Sequence, residues 1–202
     1  MPTVRAFIAI ELPPDLLAQI GRLQARVRQE LPPGLVRWVQ PEGIHLTLKF
    51  LGDVDRERLP EIERALGSAC APHAPFDLQI SEMGCFPNPQ RPRVVWVGVQ
   101  ETGETLAALQ RDVERAIAPL GFPPDRRGFH PHLTLGRVKD RRPNARRSAE
   151  LDALGAYVTR ARVRLGTLHV DAVHLMRSEL LPSGAVYTSL ATCPLASQVG
   201  RG

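Results

Sequence analysis

Cysteine is scarce in this chain of 202 residues: Cys70, Cys85 and Cys193 are the only three, and none forms a CxxC pair. An odd number so spaced argues against a disulfide framework and against a structural zinc site, and leaves three small side chains suited to burial. A long apolar run is also missing. The opening "MPTVRAFIAIELPPD" has no extended hydrophobic stretch after a basic start, so neither a signal peptide nor a membrane span is expected, and the expected location is the cytoplasm. No short period repeats along the chain, which excludes a solenoid. What is present suits a soluble globular protein: 43% of residues are hydrophobic, enough for one substantial core or two small lobes sharing one. The net charge of +5 accommodates an anionic partner such as RNA without prescribing one.

Local patterns alternate between strand and helix. "VRAFIAIEL" (4–12) reads as a buried strand stopped by Pro13 and Pro14. Leu16, Ile20, Leu23, Val27 and Leu31 then recur every three or four residues, an amphipathic helix ended by Pro32-Pro33-Gly34. "VRWV" and "IHLTLKFLG" are strand-like, and residues 53–70 return to helical spacing through Leu59, Ile62 and Leu66. "FDLQISEMGCF" and "RVVWVGV" form a hairpin-like pair around "PNPQRP". A third helix is predicted over 102–120, then the strand "HLTLGRV", a basic loop over 139–147, and a short helical patch near 148–156. Three more strand-like runs end in a tail expected to be disordered from about 196. The fold class is α+β: a single bilobal domain over 1–202, with one helix-and-strand set in each half of the chain.

Each half carries the tetrapeptide "HLTL", at 45–48 and 132–135. On a strand, His45 and Thr47 point one way while Leu46 and Leu48 point into a core; the same holds for His132 and Thr134 against Leu133 and Leu135. Two such strands brought face to face would line one cleft with two imidazoles and two hydroxyls. That set suits the opening of a cyclic phosphodiester. One imidazole takes a proton from water and the other gives one to the leaving oxygen, because an ordinary imidazole pKa of about 6.5 permits either state near neutrality. The threonine hydroxyls can donate hydrogen bonds to non-bridging phosphate oxygens. No metal is required.

The chain resembles the two-histidine phosphoesterase superfamily, and within it the RNA 2',3'-cyclic phosphodiesterases also called 2'-5' RNA ligases. The resemblance rests on "RAFIAIELP", "RWVQPEGIHLTLKFLGDV", "CFPNPQRPRVVWVGV", "LGFPPDRRGFHPHLTLGRV" and "VHLMRSELLPSGAVYTSL", in family order over nearly the whole length. It implies two pseudo-symmetric antiparallel sheets facing across a central cleft, with helices packed outside. It implies metal-free hydrolysis of RNA 2',3'-cyclic phosphate ends to 2'-phosphate, with 2'-5' joining of tRNA halves as a weak reversal. His45 then matches the general acid, His132 the general base, and Thr47 and Thr134 the phosphate-holding hydroxyls. No cofactor is implied, and a monomer is expected. Arg137 stands where the family often has an arginine near the nucleotide, but its offset of five from His132 puts it on the opposite face of a regular strand.

Other residues have competing readings. His130, with His132 and His45, could form a metal set, although no carboxylate stands beside them by motif; a rim position is the simpler reading. Phe7 and Phe129 are candidates to flank a nucleobase. Trp38 and Trp96 are expected in the core, His73 in solvent, and His169 and His174 in packing or in solvent. Lys139, Arg141, Arg142, Arg146 and Arg147 either steer RNA or form a solvated loop. An RNA-end binding module without turnover and a metal-dependent hydrolase are the alternative functions.

Overall fold

The computed structural model describes residues 2–101, 103–125, 128–139, 144–181 and 184–196. Among these, nine strands and four helices follow one another as β1 (Thr3–Ile10), α1 (Pro14–Glu30), β2 (Val36–Trp38), β3 (Leu46–Asp55), α2 (Leu59–Cys70), β4 (Phe76–Phe86), β5 (Val94–Gln100), α3 (Thr105–Ile117), β6 (His132–Val138), α4 (Ala145–Arg160), β7 (Arg164–Val170), β8 (Ala172–Leu181) and β9 (Gly184–Pro194). The strands run in the order β7-β4-β5-β6-β3-β1-β8-β9, with β2 alongside β6, and every pairing is antiparallel. The two halves of this curled sheet meet through one residue pair, Leu46 opposite Leu133. The junction therefore lies inside the two "HLTL" segments.

Helix positions follow the apolar stripes. α1 buries Leu16, Ile20, Leu23 and Val27, and α3 buries Leu106, Leu109, Val113 and Ile117. The helix expected from residue 53 starts at Leu59, because β3 continues to Asp55 with Val54 paired to Val4. The patch expected near 148–156 is longer: the Asn144 side chain accepts a hydrogen bond from the Arg147 amide at 2.8 Å and starts a helix that runs to Arg160. Ala196, the expected start of the tail, is tied to the rest of the protein. The Ala196 amide donates to the His73 carbonyl at 2.8 Å, and residues 197–202 lie outside the described residues.

The lobes are not the two halves of the sequence. β1, β3, β8 and β9 form one, and β2, β4, β5, β6 and β7 the other. Helices are exchanged between them: α1, which leaves β1, packs on β7, whereas α3, which leaves β5, packs on β3 beside α2. Each crossing helix seals its apolar stripe onto the opposite lobe, and one hydrophobic core runs through both. All three cysteines are free and buried, and burial pushes the Cys70 thiol up to about 12.

Candidate active site at the junction of the two sheets

The Leu46–Leu133 pair sets His45 across from Thr134 and Thr47 across from His132, all on the face opposite the two leucines. The leucines are fully buried, while both histidines and both threonines are half-exposed. In a regular ladder the diagonal between the two histidine positions is about 7–8 Å; β3 and β6 pair here through this one residue pair.

Both imidazoles are held in the same way. His45 donates its Nδ1–H to the Gly43 carbonyl at 3.0 Å, and His132 donates its Nδ1–H to the His130 carbonyl at 2.7 Å. Each ring is thus anchored two residues back along its own chain, which fixes the tautomer and leaves Nε2 for the cleft. The surroundings are apolar. His45 lies against Phe7, ring centroids 4.6 Å apart, and takes the edge of Tyr187 at 4.9 Å. His132 meets Phe86 edge-on at 4.9 Å. Desolvation therefore lowers both pKa values, that of His45 to about 4 despite the opposing Gly43 hydrogen bond. In the free protein at neutral pH both rings are neutral.

Both motif strands break their alternation at the same place. Thr47 and Lys49 pair with Ala9 and Ile8, and Thr134 and Gly136 pair with Trp96 and Val95, so Leu48 and Leu135 are each an extra residue in a bulge. The shift carries the residue five after each histidine back onto the histidine face. In β3 that residue is Phe50, opposite Phe7; in β6 it is Arg137, opposite Val94. Arg137 accordingly shares a face with His132, whose protonation its charge opposes. The expectation from a regular strand is corrected by the bulge. Gly136 permits the close approach of β2 at this point: a Cβ there would stand 2.6 Å from a Val36 methyl carbon.

A buried glutamine from the crossing helix meets each bulge. Gln24 of α1 donates to the Leu135 carbonyl at 2.9 Å and to the Val39 carbonyl at 2.8 Å; Gln110 of α3 donates to the Leu48 carbonyl at 3.4 Å. Neither glutamine carries a motif signal, since the need for it arises from an irregularity in a distant strand. Gln24→Leu strips the Val39 carbonyl of its donor, while the Leu135 carbonyl keeps the Val39 amide at 2.9 Å, and the change is expected to cost roughly 1–3 kcal/mol, read from urea unfolding.

Other expected site residues fall elsewhere. Phe7 is only 2% exposed and lies beneath His45 in a small cluster with Ala9 and Met176, so it cannot stack on a base; its place is to support the imidazole. Phe129 is half-buried against the main core, and His130 is exposed with its carbonyl engaged by His132. Trp96, expected in the core, instead lies on the His132 face over Gly84, where a Cβ would come within 2.0 Å of the indole. Trp38 does face the core, covered by the Arg28 guanidinium. His73 is largely covered, with Nε2 2.9 Å from an Asp112 carboxylate oxygen, rather than solvated. In the basic segment, Arg146 and Arg147 belong to α4 and both face Glu150, and Arg147 is buried; Arg141 and Arg142 lie outside the described residues. Sequence reasoning missed Phe50, Tyr187, Gln24 and Gln110. Among the described residues no group of three or more His, Cys, Asp or Glu side chains is gathered to hold a metal ion, and no helix is long and apolar enough to cross a membrane.

Residues 12–180 match the 2'-5' RNA ligase superfamily. The chain belongs to that family. An RNA 2',3'-cyclic phosphodiesterase of Methanothermobacter thermautotrophicus is 40% identical over 187 residues, covering 93% of this chain and 96% of that protein. Among solved structures, TT0787 of Thermus thermophilus superposes with a TM-score of 0.76 at 29% identity, over 96% of this chain and 99% of that one. E. coli LigT complexed with 3'-AMP superposes with a TM-score of 0.75 at 26% identity, with the same coverage. The superfamily assignment agrees with the α+β architecture and with the resemblance carried by the "HLTL" segments.

Proposed function

We propose that this superfamily member is a metal-independent phosphodiesterase that opens RNA 2',3'-cyclic phosphate ends to 2'-phosphates. The observation that carries the reading is the matched pair of imidazoles on one face of the sheet junction, each pinned through Nδ1 to the carbonyl two residues before it. The name of the Methanothermobacter relative supports the same reaction. His132 Nε2 takes the proton of a water whose oxygen attacks phosphorus; the bond from phosphorus to the 3' oxygen breaks, and His45 Nε2–H protonates that oxygen. Thr47 and Thr134 hold the non-bridging oxygens, whose charge grows in the transition state. The proton on His45 accompanies the substrate, because the phosphodiester anion favours the imidazolium that desolvation disfavours in the free protein.

In this reading the nucleobase stacks on Phe50, which is 67% exposed on the cleft face and stands 6.1 Å from Phe7. Phe50→Ala should raise KM by roughly 5- to 150-fold with little change in kcat, since base stacking contributes about 1–3 kcal/mol. The deciding experiment incubates the EDTA-dialysed protein with an oligoribonucleotide ending in 2',3'-cyclic phosphate and identifies the terminal isomer. A 2'-phosphate is the expected product. Tight binding with no product would mark an RNA-end binder, and activity restored only by added metal would mark a metal hydrolase.

A further inference from the structure

The imidazole of His45 is backed by Phe7 in β1 and by Tyr187 in β9, both inside paired strands. That of His132 leans instead on Phe86, the last residue of β4, where the ladder to β5 gives way to the loop over 87–93. This loop is stiffened from within: the Arg93 amide donates to the Phe86 carbonyl at 2.7 Å, and the Arg91 amide donates to the Asn88 side-chain oxygen at 3.0 Å. It is also tied to the end of β6, where the Val138 amide donates to the Arg93 carbonyl at 2.8 Å. Its other side rests on α4. Pro89 meets that helix at the buried Gly155, where a Cβ would stand 2.1 Å from the Pro89 carbonyl oxygen and 2.9 Å from its carbon. Glycine inside a helix is destabilising relative to alanine, so its presence there needs a reason. Gly67 in α2 has nothing within 4 Å of where its Cβ would be; Gly155 is the point at which helix and loop touch.

We propose that Gly155 is a positioning residue for His132: it admits the Pro89 carbonyl against α4, which seats the loop over 87–93 and so holds Phe86 against the imidazole. The proposal rests on the reading of His132 as the base of the reaction and adds the support behind it. The contact is with backbone, not with the far end of a flexible side chain, so an added methyl group is not absorbed locally. Ordinary contact begins at 3.4 Å, and the Pro89 carbonyl would have to retreat by roughly 1 Å. Phe86 begins the same hydrogen-bonded turn, and its ring also packs on Trp96, centroids 5.2 Å apart. Displacing the loop therefore tilts Phe86 off His132 and opens the imidazole to water, while the Nδ1 hydrogen bond to His130 is left in place. The charges that bear on His132, those of Arg137 and His130, belong to its own segment of chain. The rings that back His45 share no part of this loop.

The test compares Gly155→Ala with the parent and with Gly67→Ala, reading histidine titration by NMR together with kcat and KM on an oligoribonucleotide ending in 2',3'-cyclic phosphate. Gly67→Ala should raise the melting temperature by about 2–4 °C and leave His132 and kcat as in the parent. Gly155→Ala should melt no higher than the parent. In that variant His132 should titrate at higher pH, closer to the ordinary imidazole value of about 6.5, because desolvation holds it down in the parent. His45 should titrate as before. The value of kcat should fall about ten- to a hundredfold with KM within about threefold, the scale on which a misplacement of about 1 Å acts. Asn88→Ala, an exposed change that loosens the same loop, should move His132 in the same direction by less, and it carries the test if Gly155→Ala does not fold. His132 unmoved in Gly155→Ala, or in Asn88→Ala should the first not fold, would overturn the proposal, as would an equal movement of His45. A parent without turnover would defeat the phosphodiesterase reading instead, and the titration of His132 would still decide the role of Gly155.

Discussion

Replacing His132 or His45 by alanine is expected to lower kcat/KM by at least about a hundredfold, and up to about ten-thousandfold, the range for a positioned acid or base. Neither change should unfold the protein, because each side chain is half-exposed and its one protein hydrogen bond is to a carbonyl at the rim of the junction. Activity surviving in both variants would defeat the assignment. The pH dependence follows from the same geometry. Free-enzyme pKa values govern kcat/KM, and both histidines are held below the usual imidazole value, His45 at about 4. The profile of kcat/KM should therefore be a bell with both limbs below about pH 6.5. The alkaline limb of kcat should lie at higher pH than that of kcat/KM, since a bound phosphodiester anion stabilises the imidazolium of His45. Coincident limbs in the two profiles would show that substrate charge does not reach His45.

The second large effect concerns stability. Lys49 is turned towards the core by the bulge in β3, and its Nζ donates to a Glu114 carboxylate oxygen and, at 3.0 Å, to the Pro123 carbonyl. Its side chain is 3% exposed and that of Glu114 is 13% exposed. Lys49→Met removes one member of a covered ion pair and strands the other, an expected loss of roughly 3–5 kcal/mol in urea unfolding. Lys49→Met combined with Glu114→Leu should recover much of it, because no uncompensated charge then remains in the core. Equal losses in the single and double variants would mean that packing, not charge, holds this contact. The pair joins β3 to α3, a helix that arrives from a strand of the other lobe, so it fastens the two lobes directly behind the first "HLTL" strand.

The candidate chemistry was legible because it is written in local, repeated form. A period of two places His45 with Thr47 and His132 with Thr134 without reference to any other part of the chain, and the leucines between them show which face is core. The long helices were legible for the same reason, each carrying its own stripe. Assignments that depended on a regular strand did worse. A regular strand would turn Arg137 away from His132 and gives no sign of Phe50, because a bulge is a mismatch between two strands and neither shows it alone. Phe7 and Trp96 changed places with respect to cleft and core for a related reason. An aromatic residue in an apolar run is buried or open according to what distant segments lay over it, and here a short cluster with Met176 closes over Phe7.

Sequence alone determined the strand–helix alternation, the two-fold repetition of the motif and the identity of four polar side chains that share its outer face. Tertiary structure decided which segments make each lobe, since α1 and α3 trade partners and the halves of the chain are not the halves of the molecule. It also decided that both imidazoles are neutral when the cleft is free, that Lys49 lies inside while Arg137 lies outside, and that Gln24 and Gln110 serve the bulges. Register, burial and desolvation are properties of contacts between residues far apart in the chain, and a linear pattern reports only what neighbours along it can do.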